Sequence, residues 1–268
     1  MCSALANLPF TAIIMAADRN PDDPVARAAG VSCKALTPVG GIPMVLRVLN
    51  ALRESPAVGP RLLCGPPWPL LEQTAALKSG VNAGDYGWTA SRDSPSASAS
   101  AAMEQIPDSQ PVLLTTADHA LLSSQIIDHF CEQACAADFD LMVALAPHEL
   151  VTTAYPDVHR TRLKFSDKDY CSCNLFAFMT PHSRTMTRFW RKLESQRKQP
   201  WRIISSLGWW PVCKYLLGRL SLQEALTRLS GRLKMKIGVV ILPFADAAVD
   251  VDTEKDWRLV QQILAEKP

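Results

Sequence analysis

Three observations predict an α/β fold with a largely parallel sheet. Strand-like and helix-like stretches alternate along most of the 268 residues, the pattern of strands laid side by side and joined by crossover helices. The apolar run Pro111-Val-Leu-Leu-Thr-Thr-Ala117 stops abruptly at Asp118, and ligands of open α/β sheets bind at the carboxyl ends of such strands. A loop punctuated by Gly and Pro, carrying Arg27 and Lys34 with six residues between them, lies between a short apolar strand and a helix. In that place exposed backbone N–H groups and two cations suit a polyanion.

Taken in order, residues 10–16 are apolar and form the first buried strand. Beyond Pro43, the side chains of Met44, Val45, Val48, Leu49 and Leu52 recur on one helical face, so the loop runs into a helix. A short strand at 61–64 and a helix at 70–77 follow. Residues 86–100, Tyr-Gly-Trp-Thr-Ala-Ser-Arg-Asp-Ser-Pro-Ser-Ala-Ser-Ala-Ser, read as a loop by composition. The β-favouring run at 111–117 is the clearest central strand, with a helix starting at Ser123. Further strands fall at 140–146 and 174–179. Between 181 and 231 the pattern is helix upon helix; a strand returns at 236–242, and the segment 249–257 caps a final helix.

Composition narrows the classes. With 48% hydrophobic and 20% charged residues, the chain has the make-up of a globular protein and not of a disordered one. Its eight cysteines include Cys131-x3-Cys135 and Cys171-x-Cys173, which lack the paired C-x2-C of a zinc site and read as buried, reduced thiols. The first ten residues carry no basic region, the apolar stretch at 10–17 is short for a signal core, and no run approaches the ~18 apolar residues of a membrane span. A cytoplasmic protein is the expectation. Neither G-x-S-x-G nor G-x4-G-K-[ST] occurs, which disfavours a serine hydrolase and a P-loop enzyme. Among the five scattered histidines, only His119, beside Asp118, stands near candidate chemistry.

Nucleotide transfer onto a phosphate brings two anions together, so a site for it needs cations and a divalent metal on oxygen ligands. Asp118, Asp250 and Asp252 each end or follow a strand and are the candidate ligands; magnesium usually takes only one or two protein carboxylates. Asp252, just before Thr253-Glu254-Lys255-Asp256, equally suits a helix N-cap. Judged singly, Arg27 and Lys34 read as solvated loop cations. Their joint placement between strand and helix favours phosphate. The hydroxyls of 94–100 read either as linker or as contacts to a base or ribose.

These residues resemble a family of nucleotidyltransferases that includes the molybdenum-cofactor guanylyl- and cytidylyltransferases, methylerythritol-phosphate cytidylyltransferase and sugar-phosphate uridylyltransferases. The likeness spans most of the chain. Ile13-Ile14-Met15-Ala16-Ala17 is similar to the opening strand, and Arg27-x6-Lys34 followed by Leu36, Pro38, Gly41, Pro43 and Met44 is similar to the family's loop. Ser98 looks like the base- and ribose-contacting serine, with Ala99 in place of Val; Asp118 looks like the metal aspartate, with Ala120 where Pro is common; and Asp250-Val-Asp252-Thr253 is similar to the second metal segment. The resemblance implies a three-layer, Rossmann-like (GT-A-like) single domain over 1–268. It implies nucleotide contacts at Ala16, Ala17, Arg27, Lys34, Ser98 and Asp118, and Mg2+ held by Asp118 and Asp252, with Asp250 as the alternative. It further implies catalytic roles for Arg27, Lys34 and Asp118 and transfer of an NMP group, from CTP or GTP foremost, to a small phosphorylated acceptor. The departure is the first loop, where Asp18-Arg19-Asn20-Pro21-Asp22-Asp23-Pro24 replaces Gly-x-Gly and removes the freedom of close backbone approach that glycine gives.

One segment lies outside that pattern. Between Arg184 and Arg219 nine Lys and Arg face one acid, Glu194, and four of the chain's seven tryptophans (190, 201, 209, 210) sit there. That segment is net +8, leaving −6 for the rest of a chain whose total is +2. Within an expected helical insertion at 182–232, the tryptophans either pack on the sheet or form, with the cations, a patch suited to an anionic membrane surface, as in a peripheral enzyme on the inner face of the membrane. No recognition motif accompanies the charge, so a nucleic-acid partner is not expected. Two other readings of the whole chain remain open at this level: a nucleotide-sugar-dependent glycosyltransferase of related fold, and a non-catalytic nucleotide-binding relative.

Overall fold

The computed structural model describes residues 9–18, 22–158, 160–195 and 214–266. Its sheet is ordered β10-β7-β9-β6-β1-β4-β5. The members are β1 (Phe10–Met15), β4 (Val58–Cys64), β5 (Gly87–Thr89), β6 (Val112–Thr116), β7 (Leu141–Pro147), β9 (Asp169–Phe178) and β10 (Ile237–Ile241), with β8 (Arg162–Lys164) paired to β9. β1 runs parallel to β4 and β6, β4 to β5, and β7 to β10. The expectation of a largely parallel sheet holds with one exception: β9 is antiparallel to β6, β7 and β8.

The alternation of side chains along β1 explains the three layers. Phe10, Ala12 and Ile14 join one core cluster and Ile13 the other, as period-two geometry requires of a strand covered on both faces. On one face pack α2 (Met44–Glu54), α6 (Ser124–Ala136) and α10 (Glu254–Glu266), through Val45, Val48, Leu52, Ile127, Phe130, Val260 and Ile263. On the other pack α5 (Pro95–Met103), α8 (Met186–Ser195) and α9 (Leu222–Leu233), through Ala99, Ala102, Met103, Met186 and the half-buried Trp190 and Leu229.

Three local expectations need correction. Residues 86–100 are not a loop throughout: Gly87–Thr89 pairs with β4, and α5 begins at Pro95 with the Ser94 hydroxyl capping the N–H of Ala97. Its Ser/Ala composition hides a helix because small side chains, Ser96, Ser98, Ala99 and Ala102, are what let it lie close to the sheet. The helix expected at 70–77 is two, α3 (Trp68–Gln73) and α4 (Ala75–Ala83), broken at Thr74. The strand expected at 174–179 begins at Asp169 and forms a hairpin with β8. A further short helix, α7 (His148–Ala154), follows β7.

Gly80, inside α4, sits under the ring of Tyr86, where a Cβ would lie 2.5 Å from Cε1. Tyr86 is 8% exposed and its hydroxyl donates to the Leu77 carbonyl, so the ring has no easy retreat. Overpacking costs about 1–3 kcal/mol and the helix propensity gained by alanine returns about 1 kcal/mol. Gly80→Ala is therefore expected to lose about 1 kcal/mol, read as a lower urea midpoint with an unchanged slope.

The basic segment is in part structural. Arg184 is 12% exposed, and its guanidinium donates to the carbonyls of Met103, Ile106, Pro107 and Gln110, clasping the turn between α5 and β6. Trp190 packs edge-on against Phe176 and Phe178. A lysine cannot reproduce that planar fork of donors. Arg184→Lys is expected to cost about 2 kcal/mol, measurable as a drop in denaturation midpoint. The insertion's other tryptophans, Trp201, Trp209 and Trp210, lie outside the described residues. No described helix is long and apolar enough to cross a membrane.

Candidate active site

Three segments far apart in sequence meet at the carboxyl edge of the central strands. β1 delivers Ala16, Ala17 and Asp18; β6 delivers Asp118; and the stretch after β10 delivers Asp250 and Asp252. The last two are locked together by the backbone, since the Val251 N–H donates to the Asp118 carbonyl at 3.0 Å. The loop carrying Lys34 returns across this edge through a tight hairpin of β2 (Pro38–Val39) and β3 (Ile42–Pro43). Gly40 and Gly41 turn it with φ of +57° and +76°, a backbone that side-chain-bearing residues rarely adopt.

Lys34 stands at the centre. Its Nζ donates to Asp118 Oδ2 at 2.7 Å and to Asp252 Oδ1 at 3.0 Å, with side chains 15%, 20% and 59% exposed for Lys34, Asp118 and Asp252. Burial alone would push the Asp118 carboxyl up, but the Lys34 ammonium, with the Thr116 hydroxyl, holds it below the usual carboxylate range. Burial works equally against the ammonium, and the two carboxylates more than offset it, lifting the Lys34 pKa. Lys34 and Asp118 are therefore both charged near neutrality.

Asp252 does not cap the final helix. Thr253 does: its hydroxyl accepts the Asp256 N–H while the Asp256 carboxylate accepts from Thr253 N–H and Oγ1, a reciprocal capping box. That arrangement leaves the Asp252 carboxylate turned toward the cleft. Asp250 is engaged differently. It pairs with Arg160 and accepts from Asn174 Nδ2 at 2.8 Å, and Arg160 also donates to the Asp250 carbonyl while its other contact, to Asp252, is 3.9 Å long. Of the two acids, Asp252 is thus the one free to share a cation with Asp118, and Asp250 is a half-buried anchor. Arg160 and Asn174 escaped sequence reasoning. Arg160 lies in an irregular stretch between α7 and β8, and Asn174 sits where the β7–β9 register shifts between Val143 and Leu145, a bulge-type irregularity that re-aims side chains.

Of the remaining expected site residues, Arg27 and Ser98 are engaged away from the Lys34 cluster. Arg27, in α1 (Pro24–Ala28), is 69% exposed and pairs with Asp22 at 3.3 Å; the Asp23 side chain caps α1 and turns Arg27 outward on its last turn. Among the described residues no ion pair joins Arg27 to the Lys34 cluster. Ser98 is 1% exposed, and its hydroxyl accepts the Arg92 N–H at 2.7 Å and donates to the Ser94 carbonyl at 2.9 Å. It braces the 92–94 loop and does not face the cleft. Ala16 is buried, its N–H donating to the Cys64 carbonyl, and Ala17 is backed by Gly65, where a Cβ would stand 3.0 Å from the Ala17 nitrogen. His119 is 1% exposed and burial drives its pKa down to about 4, so it is neutral at physiological pH. In the altered first loop, Asp18 accepts the Lys34 N–H at 3.1 and 3.0 Å through its two oxygens; burial raises its pKa. Residues 19–21 of that loop lie outside the described residues.

Among the described residues no cluster of three or more His, Cys, Asp or Glu side chains forms a metal site. The pair of Asp118 and Asp252 nevertheless fits a hard divalent cation. Two carboxylate oxygens converge on one positive charge, and magnesium needs no more protein ligands than that when water and phosphate complete its shell.

A mixed sheet with helices on both faces thus carries a lysine and a pair of acids at its carboxyl edge, where open α/β sheets bind ligands. A family model for the MobA-like NTP transferase domain matches residues 12–236, and the chain belongs to that family. A hypothetical transferase from Thermus thermophilus is 26% identical, with a TM-score of 0.77 over 93% of this chain and 100% of that one. The 4-diphosphocytidyl-2C-methyl-D-erythritol synthase of Anaerococcus prevotii shares the fold at 12% identity (TM-score 0.58, covering 98% and 100% of the two chains). So does a CMP:2-keto-3-deoxy-manno-octonic acid synthetase complexed with CTP, also at 12% identity (TM-score 0.58, 97% and 100%). No curated protein matches the chain's sequence.

Proposed function

We propose that this enzyme transfers an NMP group from an NTP, CTP or GTP, to a small phosphorylated acceptor such as a polyol or sugar phosphate, releasing pyrophosphate. The observation that carries the reading is the Lys34 ammonium bridging Asp118 and Asp252 at 2.7 and 3.0 Å. It joins a phosphate-neutralising cation to a pair of metal-type carboxylates at the edge where open sheets bind ligands. CTP is favoured because a synthetase of the same fold binds it.

In this reading an acceptor phosphate oxygen attacks the α-phosphorus in line; the new P–O bond forms as the bond to the bridging oxygen of pyrophosphate breaks. No general base is required, because a phosphate monoester, with second pKa about 6, is already largely dianionic near neutrality. Lys34 stabilises charge on the triphosphate and the departing pyrophosphate. Arg27, held only by a solvent-exposed ion pair that contributes little, is available to the same phosphates. Mg2+, when bound by Asp118 and Asp252, supplies charge neutralisation at the α-phosphate. Alignment and electrostatics account for the rate enhancement.

The test is a thermal-shift screen of the four NTPs with and without Mg2+. A nucleotide at about 100 times its Kd stabilises by about 2.7 kcal/mol; a Mg2+-dependent rise with CTP or GTP is expected, and no rise with any NTP defeats the reading. Release of UDP or GDP from a nucleotide sugar, with no pyrophosphate from NTP, would assign the glycosyltransferase chemistry instead.

The membrane-surface reading keeps one specific support. Leu216 and Leu217 are 77% and 68% exposed between Lys214 and Arg219. Apolar side chains flanked by cations suit an anionic interface. Co-sedimentation with phosphatidylserine vesicles, lost in Leu216→Ser/Leu217→Ser, is the expected result.

A further inference from the structure

We propose that Lys34 is a placeholder for the divalent cation: its ammonium occupies the metal position between Asp118 and Asp252, and metal binding displaces it toward the phosphates. This rests on the nucleotidyl reading only for Lys34's destination. The displacement itself follows from geometry. The ammonium nitrogen lies 2.7 Å from Asp118 Oδ2 and 3.0 Å from Asp252 Oδ1, while Mg2+ binds carboxylate oxygens at about 2.0–2.1 Å. One point between two oxygens cannot hold both cations, and two positive charges about 3 Å apart repel beside the half-buried Asp118.

The surroundings fix which groups move. Asp118 is held by the Thr116 hydroxyl and, through its own carbonyl, by the Val251 N–H. Asp250 is engaged by Arg160 and Asn174 and offers no alternative seat to the ammonium. The Lys34 backbone is fixed by Asp18, so what changes is the direction of its four-carbon side chain. Asp252 is 59% exposed, so the outer side of the pair is open to water and phosphate. The consequence is a coupling. Without metal, Lys34 neutralises the acids and is withdrawn from phosphate; with metal, the same lysine is released to a triphosphate, so metal and nucleotide favour one another's binding.

Mn2+ titration of the nucleotide-free chain, followed by electron paramagnetic resonance, tests the exchange without any NTP. Lys34→Met is expected to bind Mn2+ at least about tenfold more tightly than the unsubstituted chain, equivalent to about 1.4 kcal/mol. Lys34→Arg, which retains a competing cation, is expected to show no such gain, and Asp118→Asn added to Lys34→Met is expected to abolish it. A folded Lys34→Met chain with equal or weaker Mn2+ affinity overturns the proposal, as does a gain that survives Asp118→Asn. A second measurement serves even if Lys34→Met does not fold. In the unsubstituted chain Mg2+ is expected to speed acetylation of Lys34 by an amine reagent, read by mass spectrometry, and an unchanged rate also overturns it. Failure of every NTP to bind would sink the nucleotidyl reading while leaving these two results as they stand.

Discussion

Lys34→Ala is expected to lower kcat/KM for pyrophosphate release from NTP by about 10²–10³-fold, the range found when one charge-stabilising donor is removed from a preorganised site. The fall should appear mainly in kcat. On the proposed reading a triphosphate would also be held by metal, so ground-state binding would lose only part of its support, whereas the charge that builds on the departing pyrophosphate would lose its nearest cation. Lys34→Arg should recover little, because a planar guanidinium still paired with the acids does not reproduce the compact point charge that a lysine ammonium presents to phosphate. The assay is steady-state pyrophosphate release at saturating Mg2+, with circular dichroism to establish folding. A folded alanine variant within about threefold of the unsubstituted rate, far inside the loss expected from such a site, would show that the chemistry lies elsewhere.

That prediction was within reach of the sequence, because Lys34 and Asp118 are announced by local signals. A cation follows glycine and proline on a strand-to-helix loop, and an acid terminates an apolar strand. The period-two and helical patterns likewise make the layers legible, since strands buried on both faces and amphipathic helices have distinct spacings. What the sequence hides is whatever depends on long-range register. The antiparallel course of β9 leaves no mark in its last four residues, Leu175 to Phe178, which are as apolar as those of a parallel strand. The helix at Pro95–Met103 is concealed because close packing on the sheet selects Ser and Ala, which also make linkers. The division of labour between Asp250 and Asp252, two residues apart and alike in type, is set by Arg160 and Asn174 from other elements and by the Thr253–Asp256 box. Only the last of these partners is local. Arg27 and Ser98 show the converse: each matches a family position in sequence, yet one pairs with Asp22 at the surface and the other is engaged by its own loop.

That division of labour yields the second large effect, in stability and not in rate. Asp250→Ala is expected to cost about 3–5 kcal/mol, because it leaves the Arg160 guanidinium buried without its counter-charge. Arg160 is 11% exposed and Asp250 19%, so water cannot readily replace the lost partner. Asp252→Ala should behave oppositely: at 59% exposure its ion pair with Lys34 contributes little to folding, about 1 kcal/mol or less, yet Mn2+ binding should fall because the shared seat with Asp118 is gone. Urea denaturation gives the first comparison and metal titration the second. Removing both partners, as Arg160→Met/Asp250→Leu, should restore most of the stability lost in Asp250→Ala, since an apolar pair avoids the desolvation of two charges. If instead Asp252→Ala proves the more destabilising change and Asp250→Ala the one that removes Mn2+, the assignment of anchor and ligand must be exchanged, and with it the position of the reacting phosphate along the edge of the sheet.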